Sequence, residues 1–268
     1  MSIKIEPFKN NIGASIVCDL KSIKTDVVEK TKEALNNYGF VCFRNQNLDP
    51  REYLEFAKLL GKIKDYPMLK DLEGYKGITV VERKAEDKGK SYGEGWHTDS
   101  SYLDKTPRYT CLMGKIVEKD QGQTLFASQF ASYEALDQKT KEKIEGLVGI
   151  FSSAGPISET RLEREAERGT GKAKDFISEH PIVKTVKNKK TLYLSPGHTI
   201  AIKNLSNEDS KNLLKFLFNH QTKKEFQTSF SWEKNSIVVW DNHSIIHSAT
   251  PFVGSCLLYT SPSPRDRG

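Results

Sequence analysis

The stretch that decides the fold is Gly95-Trp96-His97-Thr98-Asp99, where a histidine and an aspartate stand two positions apart. In an extended segment, residues i and i+2 point to the same face, so His97 and Asp99 direct an imidazole and a carboxylate at one point. Such a pair supplies two of the ligands of a 2-His-1-carboxylate triad, which leaves open positions on Fe(II) for a cosubstrate and dioxygen. Because His-x-Asp also occurs by chance, this interpretation requires a second histidine far along the chain.

Two histidines near the end of the chain, His243 and His247, are candidates for that third ligand. His247 lies in the extended run Ile245–Ala249, where a strand can hold a ligand rigidly. His243 follows the predicted turn at Asp241-Asn242, and we expect it to be exposed. Either residue could complete the site, and the position of His247 on a strand favours it.

Composition limits the class of protein. The chain has 268 residues, 37% of them hydrophobic and 28% charged, which is typical of a globular domain. It contains no apolar run of about 18 residues, and its start lacks the apolar core of a signal peptide. The four cysteines show no Cys-x-x-Cys spacing and are expected to be reduced, so we predict a cytoplasmic protein without membrane contact. The net charge of +6 is spread along the chain and does not predict nucleic-acid binding.

The order of the predicted elements indicates a mainly β fold with decorating helices. Asp49-Pro50 provides an N-cap and a first-turn proline for one helix, which Gly61 ends. Ser206 opens another helix with a capping-box-like pattern at Asp209. Short strands such as Phe40–Phe43 fill most of the remaining chain. This pattern favours a jelly-roll-type core over a regular βαβ alternation.

One domain over residues 1–254 is expected to contain this core. Residues 158–175 are dense in both charges and contain two glycines, which indicates a mobile surface insertion. Residues 255–268 differ in character from the rest. Prolines at 262 and 264 argue against a central strand there, and we predict a non-native or truncated C-terminus.

Several motifs together resemble the taurine/2,4-D dioxygenase (TauD/TfdA) family over roughly residues 5–253. The resemblance rests on His97-x-Asp99, Gly122-x-Thr124-Leu125-x-Ala127-Ser128, Trp240-Asp241-Asn242 with His247-x-Ala249, Gly39-Phe40-Val41-x-Phe43-Arg44, and His180-Pro181 before Leu192-Tyr193-Leu194. It implies a double-stranded β-helix (jelly-roll/cupin-like) core, Fe(II), 2-oxoglutarate as cosubstrate, and O2. It also implies hydroxylation of a small, anionic organic molecule, such as a sulfonate, carboxylate or sulfate ester, with release of succinate and CO2.

The resemblance assigns roles to individual residues. His97, Asp99 and His247 would bind the iron, and Thr124 would hydrogen-bond a carboxylate of 2-oxoglutarate. The Trp240-Asp241-Asn242 run would orient the strand of His247. Three positions fall near the substrate in relatives: Tyr66, Phe151 and His198. The alternative for Tyr66 is a surface position. The alternative for His198 is a position in a solvated loop.

Two departures from the family pattern leave a second hypothesis open. The family usually has arginine after Trp-Asp-Asn, where this chain has His243. Family members also carry an arginine past the distal histidine that pairs with the far carboxylate of 2-oxoglutarate, an interaction that suits the arginine fork. Arg265 and Arg267 are the candidates in this chain. The alternative is therefore a catalytically impaired or truncated scaffold that binds a metal or small ligand without turnover. A homo-oligomer is compatible with either hypothesis.

Overall fold

The computed structural model describes residues 3–23, 25–63, 71–118, 121–158, 175–252 and 254–262. The strands are β1 (Lys4–Pro7), β2 (Ala14–Val17), β3 (Phe40–Phe43), β4 (Asp71–Leu72), β5 (Tyr75–Arg83), β6 (Tyr109–Ile116), β7 (Gln123–Ser128), β8 (Val148–Ser152), β9 (Ile177–Pro181), β10 (Val183–Val186), β11 (Lys189–Leu192), β12 (Thr199–Ile202), β13 (Gln227–Ser231), β14 (Ile237–Asp241), β15 (Ile245–Ala249) and β16 (Cys256–Pro262). The helices are α1 (Thr25–Tyr38), α2 (Pro50–Leu60), α3 (Gln129–Glu134), α4 (Gln138–Ile144) and α5 (Asn207–Gln221). The prediction of a mainly β fold with decorating helices is confirmed.

Strands that are distant in sequence pair to form the sheets. The largest sheet has eight strands in the order β1-β2-β3-β14-β6-β16-β5-β4. Two three-stranded sheets have the orders β13-β7-β15 and β12-β8-β9, and β10 pairs with β11. All pairs are antiparallel except β2 with β3. This topology brings β14 and β15 of the C-terminal region beside β3, β6 and β7.

An aromatic layer joins the eight-stranded sheet to the β13-β7-β15 sheet. Phe40 on β3 stacks on Phe126 of β7, with ring centroids 4.1 Å apart. Trp240 on β14 lies 5.7 Å from the same Phe126 ring. All three side chains are buried, and each contributes about 2–3 kcal/mol through removal of its apolar surface from water. The layer fixes the spacing of the two sheets, and Trp240 also contacts His247, with ring centroids 4.7 Å apart.

The two N-terminal helices cover the other face of the large sheet. The apolar sides of α1 and α2 pack on β3, β6 and β14 through residues such as Leu35, Phe56 and Leu60. The predicted start of α2 is confirmed, because Asp49 accepts a hydrogen bond from the Glu52 amide at 2.8 Å and the Glu52 carboxylate accepts one from the Asp49 amide at 2.8 Å. The predicted start of α5 is also confirmed, since Ser206 Oγ accepts from the Asp209 amide at 3.1 Å.

The expectation that prolines exclude a central strand after residue 254 is wrong for Cys256–Pro262. This segment forms β16, which pairs with β5 on one side and β6 on the other. Pro262 is the last residue of the strand, so its missing N–H does not interrupt the ladder between the two neighbours. The single-domain interpretation and the separate origin of residues 255–268 stay predictions.

The predicted mobile insertion and the predicted absence of a membrane-spanning helix concern different parts of the chain. Of the predicted insertion at 158–175, residues 159–174 lie outside the described residues. Within the described ranges, none of the helices combines the length and apolar character that a membrane crossing requires.

Candidate metal centre

Backbone pairing places two histidines side by side. The His97 amide donates to the His247 carbonyl at 2.9 Å, and the His247 amide donates to the His97 carbonyl at 2.9 Å. The two imidazole centroids are consequently only 4.2 Å apart. His247 lies within β15, which is itself paired with β7 at Phe126. Of the two histidines that the sequence offered, the structure therefore brings His247 to His97.

The donor atoms of His97, Asp99 and His247 converge, with all three within 4.8 Å of one another. Each histidine Nε2 lies 3.6 Å from Asp99 Oδ1, too far for a hydrogen bond. His97 Nδ1 lies 2.7 Å from the Gly95 carbonyl oxygen. A carbonyl only accepts, so the proton is on Nδ1 and the Nε2 lone pair faces Asp99.

Asp99 is fixed by a polar network that the sequence analysis did not identify. Thr110 Oγ1 donates to Asp99 Oδ2 at 2.7 Å, which leaves Oδ1 facing the two histidines. Asn242 Nδ2 donates to Thr110 Oγ1 at 2.9 Å, and the Asp99 amide donates to Asn242 Oδ1 at 3.3 Å. Trp240 Nε1 donates to the same Asn242 oxygen at 3.2 Å. Trp240 and Asn242 thus orient Asp99, and their predicted role in orienting the strand of His247 stays a prediction.

Electrostatics favours an ionised Asp99 beside a neutral His247. Burial alone would raise the pKa of Asp99, but His247, His97 and the Thr110 hydroxyl together lower it below its ordinary value. Burial, with His97 nearby, lowers the pKa of His247 to about 3, so this imidazole is neutral at neutral pH. Two imidazole nitrogens and one carboxylate oxygen are a donor set that suits a first-row divalent metal. The residues present therefore fit an Fe(II) ion.

Replacement of Thr110 with valine is expected to weaken metal binding about 10-fold or more. Valine keeps the shape of the threonine side chain but removes the hydrogen bond that orients the Asp99 carboxylate. Loss of a hydrogen-bond partner of a metal ligand usually lowers metal affinity 10- to 100-fold. Competition titration of Fe(II) or Co(II) against a chelator measures the effect. Thr106→Val is the matched control, because the Thr106 hydroxyl lies 3.2 Å from His243 Nε2 instead. Equal metal affinities of Thr110→Val and Thr106→Val would contradict the role assigned to Thr110.

A largely apolar cavity opens beside the three donors. Its lining residues are Val81, Tyr92, Gly93, His97, Asp99, Thr110, Leu112, Thr124, Trp240, His247, Ala249, Leu258 and Thr260. Thr124 Oγ1 accepts from Trp232 Nε1 at 2.9 Å, so its own hydroxyl proton is available to a ligand in the cavity. Among the described residues, neither lysine nor arginine lines this space. Leu258 on β16 is one of its walls.

The three residues that were predicted to lie near the substrate differ in where the structure places them. Tyr66 lies outside the described residues. Phe151 is fully buried and packs on His180 and Tyr193, with ring centroids 5.3 and 5.8 Å away, rather than on the cavity just described. His198 is also buried, so the solvated position considered for it is wrong; its ring lies 6.1 Å from that of His97. Substrate contacts at these positions stay predictions.

The expectation that His243 is exposed is wrong, because its side chain is half-buried against Thr106 and Tyr193. Burial, together with Lys184 and Arg108, lowers the pKa of His243 to about 3. Arg108 instead pairs with Asp241 of the same turn, and its guanidinium lies 3.2 Å from the Asp241 carboxylate. The sequence gives no local signal for this pair, since its members are far apart along the chain.

Comparisons with known proteins match the chain to one family over nearly its whole length. Residues 4–262 match the profile of the taurine catabolism dioxygenase TauD, TfdA family. An α-ketoglutarate-dependent sulfate ester dioxygenase from Pseudomonas putida is 26% identical over 95% of this chain and 86% of its own length. An α-ketoglutarate-dependent 2,4-dichlorophenoxyacetate dioxygenase from Cupriavidus pinatubonensis is 24% identical over 92% of each chain. The crystal structure of a taurine dioxygenase-like protein from Burkholderia xenovorans superposes with a TM-score of 0.83 and 25% identity, covering 99% of this chain and 90% of that one.

Proposed function

Because the chain belongs to the taurine catabolism dioxygenase TauD, TfdA family, and is thus an Fe(II)- and 2-oxoglutarate-dependent dioxygenase, we propose that His97, Asp99 and His247 bind its iron. The observation that carries this assignment is the convergence of three donor atoms on one point, with the His97 tautomer set by Gly95. When bound, Fe(II) with 2-oxoglutarate and O2 supplies oxidative chemistry that releases succinate and CO2 and hydroxylates a second molecule. The fold proposed for this site is a double-stranded β-helix, which the facing β-sheets support.

Thr124 is proposed to hold a carboxylate of 2-oxoglutarate. Its hydroxyl accepts from Trp232, so its proton points to a different acceptor, and it shares a cavity with the three metal-binding side chains. The apolar walls at Leu112 and Trp240 keep water away from the cosubstrate. In this low-dielectric space each hydrogen bond to a carboxylate is stronger than it is in water.

The substrate is proposed to be a small organic anion. The relatives are named for sulfate esters, sulfonates and 2,4-dichlorophenoxyacetate, which share an anionic head group beside an oxidisable carbon. The alternative of an inactive scaffold has less support, because the complete donor set and its Thr110–Asn242 network are present. A cytoplasmic location and a homo-oligomeric state stay predictions.

A substrate panel tests this proposal. With Fe(II), 2-oxoglutarate and O2, we expect an alkylsulfonate, an alkyl sulfate ester or an aryloxyacetate to stimulate succinate formation at least about ten-fold over the substrate-free rate. The corresponding neutral alcohols are expected to give no stimulation. Asp99→Asn serves as the inactive control. If the metal and 2-oxoglutarate bind but none of the three classes stimulates succinate release, the proposed substrate class is wrong.

A further inference from the structure

Three aliphatic side chains, Val81, Leu112 and Leu258, form a wall of the cavity beside the metal donors, and we call them the aliphatic wall. Val81 on β5 lies directly opposite Leu258 on β16, and Leu112 lies on β6, the other strand that pairs with β16. Opposite residues of antiparallel neighbours point to the same face of a sheet, so Val81 and Leu258 form one continuous apolar surface. All three side chains are half-buried, and a ligand tail that covers them would remove more apolar surface from water.

The other polar groups of this cavity are hydroxyls. Apart from the three metal donors and Trp240, whose indole N–H donates to Asn242, the described polar side chains that line it are Tyr92, Thr110, Thr124 and Thr260. A hydroxyl can hydrogen-bond a carboxylate, but it brings no positive charge to it. Thr124 offers one such bond, because its oxygen accepts from Trp232 Nε1 and its proton is available. The described lining therefore combines hydroxyl donors with the aliphatic wall.

The aliphatic wall suits an apolar ligand tail better than a charged one. The keto-acid end of a cosubstrate belongs at the metal donors, which leaves its tail to the rest of the cavity. The tail of 2-oxoglutarate ends in a second carboxylate, and burial of an ion against hydrocarbon without a counter-charge is costly. An isopropyl group has about the shape of that carboxylate group, and its burial against Val81, Leu112 and Leu258 is favourable.

We propose that this cavity accepts, besides 2-oxoglutarate, 2-oxo monocarboxylates with a short apolar tail as cosubstrates, and that the aliphatic wall binds the tail. The inference rests on the proposed function and adds a second chemical class of cosubstrate to it. Each such acid takes up one oxygen atom of O2, loses CO2 and leaves as the carboxylic acid with one carbon fewer. The other oxygen atom enters the substrate as a hydroxyl group. The electron balance is that of 2-oxoglutarate oxidation, so the reaction needs no further reductant.

Binding of a matched series of 2-oxo acids under anaerobic conditions tests the inference without turnover. The probes are pyruvate, 2-oxobutanoate, 2-oxopentanoate, 2-oxoglutarate and 5-methyl-2-oxohexanoate, which carries an isopropyl group where 2-oxoglutarate has its distal carboxylate. Each acid is titrated into the Fe(II)-loaded chain by calorimetry and by the visible charge-transfer band. We expect the affinity to rise about three-fold with each methylene from pyruvate to 2-oxopentanoate. We expect 5-methyl-2-oxohexanoate to bind at least as tightly as 2-oxoglutarate.

A substitution in the aliphatic wall tests whether the wall binds the tail. Leu258→Thr shortens the wall and makes it polar, so we expect it to weaken binding of 5-methyl-2-oxohexanoate about five-fold or more and to leave pyruvate binding within about two-fold of wild type. Leu257→Thr is the matched control, because Leu257 lines neither this cavity nor the adjoining one, and it should change neither affinity. Thermal unfolding shows whether both variants retain the fold.

A site that requires a dicarboxylic acid gives a different pattern. If 2-oxoglutarate produces the band and binds about ten-fold or more tightly than every monocarboxylate, or if tail length has no effect on affinity, the inference is wrong while the metal assignment stands. If Leu258→Thr and Leu257→Thr weaken binding of all five acids alike, the aliphatic wall does not bind the tail and the inference is wrong. If none of the acids gives a band or a binding signal, the metal assignment and the inference both fall.

Discussion

His97→Ala and His247→Ala are each expected to abolish the visible charge-transfer band that Fe(II) and 2-oxoglutarate form with the wild-type chain under anaerobic conditions. Each histidine contributes one of the three donor atoms that lie within 4.8 Å of one another. Loss of one leaves two protein ligands, and we expect metal affinity to fall by about 100-fold or more, since even partners outside the ligand set change affinity 10- to 100-fold. Absorption titration at a fixed protein concentration measures the band.

His243→Ala is the matched control for this experiment. It is also a histidine of the C-terminal region and is half-buried, but its Nε2 lies 3.2 Å from Thr106 Oγ1 and its ring contacts Tyr193. We expect the variant to keep the band. Thermal unfolding of all three variants shows whether each retains its fold. A folded His247→Ala protein with a wild-type band, or a folded His243→Ala protein without one, would refute the assignment of the third ligand.

The sequence was sufficient where the signal is local. Asp49-Pro50 predicts the start of α2 because the N-cap, the first-turn proline and Glu52 act within four residues. His97 and Asp99 are predicted to face one point because strand geometry fixes the direction of residues i and i+2. His247 was favoured over His243 because an extended apolar run surrounds it, and backbone pairing with His97 agrees.

The sequence was insufficient where long-range packing decides the outcome. His243 follows a turn and was expected to be exposed, but Thr106 and Tyr193, which are distant in sequence, pack against it. Thr110 belongs to no sequence motif that would mark it. It hydrogen-bonds Asp99 only because β6 lies beside β14. For His198, a solvated loop position was the alternative to a substrate contact, because loops usually lie on the surface. The turn that contains His198 instead packs against Trp96–Thr98, which no local pattern indicates.

The same long-range pairing places Leu258 on the wall of the cavity that Thr124 shares with the metal donors. Leu258 lies on β16 opposite Val81 of β5. 2-Oxoglutarate has two carboxylates, and a second carboxylate buried against apolar walls pays a large desolvation penalty without a partner. Arg83 lines an adjoining cavity rather than this one, and one of its guanidinium nitrogens donates to the Asp87 carbonyl at 2.9 Å.

Leu258→Arg is therefore expected to tighten 2-oxoglutarate binding by about 10- to 100-fold, the range for a hydrogen bond to a charged group. Titration of the charge-transfer band and the KM for 2-oxoglutarate measure the change. Leu257→Arg is the matched control, because it adds the same charge one residue away, on the side of β16 that does not line the cavity. A gain in 2-oxoglutarate affinity that occurs only with Leu258→Arg means that the cavity has the shape to hold the distal carboxylate and lacks only a positive charge to pair with it. Equal effects at 257 and 258 would show that general charge attraction, rather than a defined carboxylate position, limits cosubstrate binding.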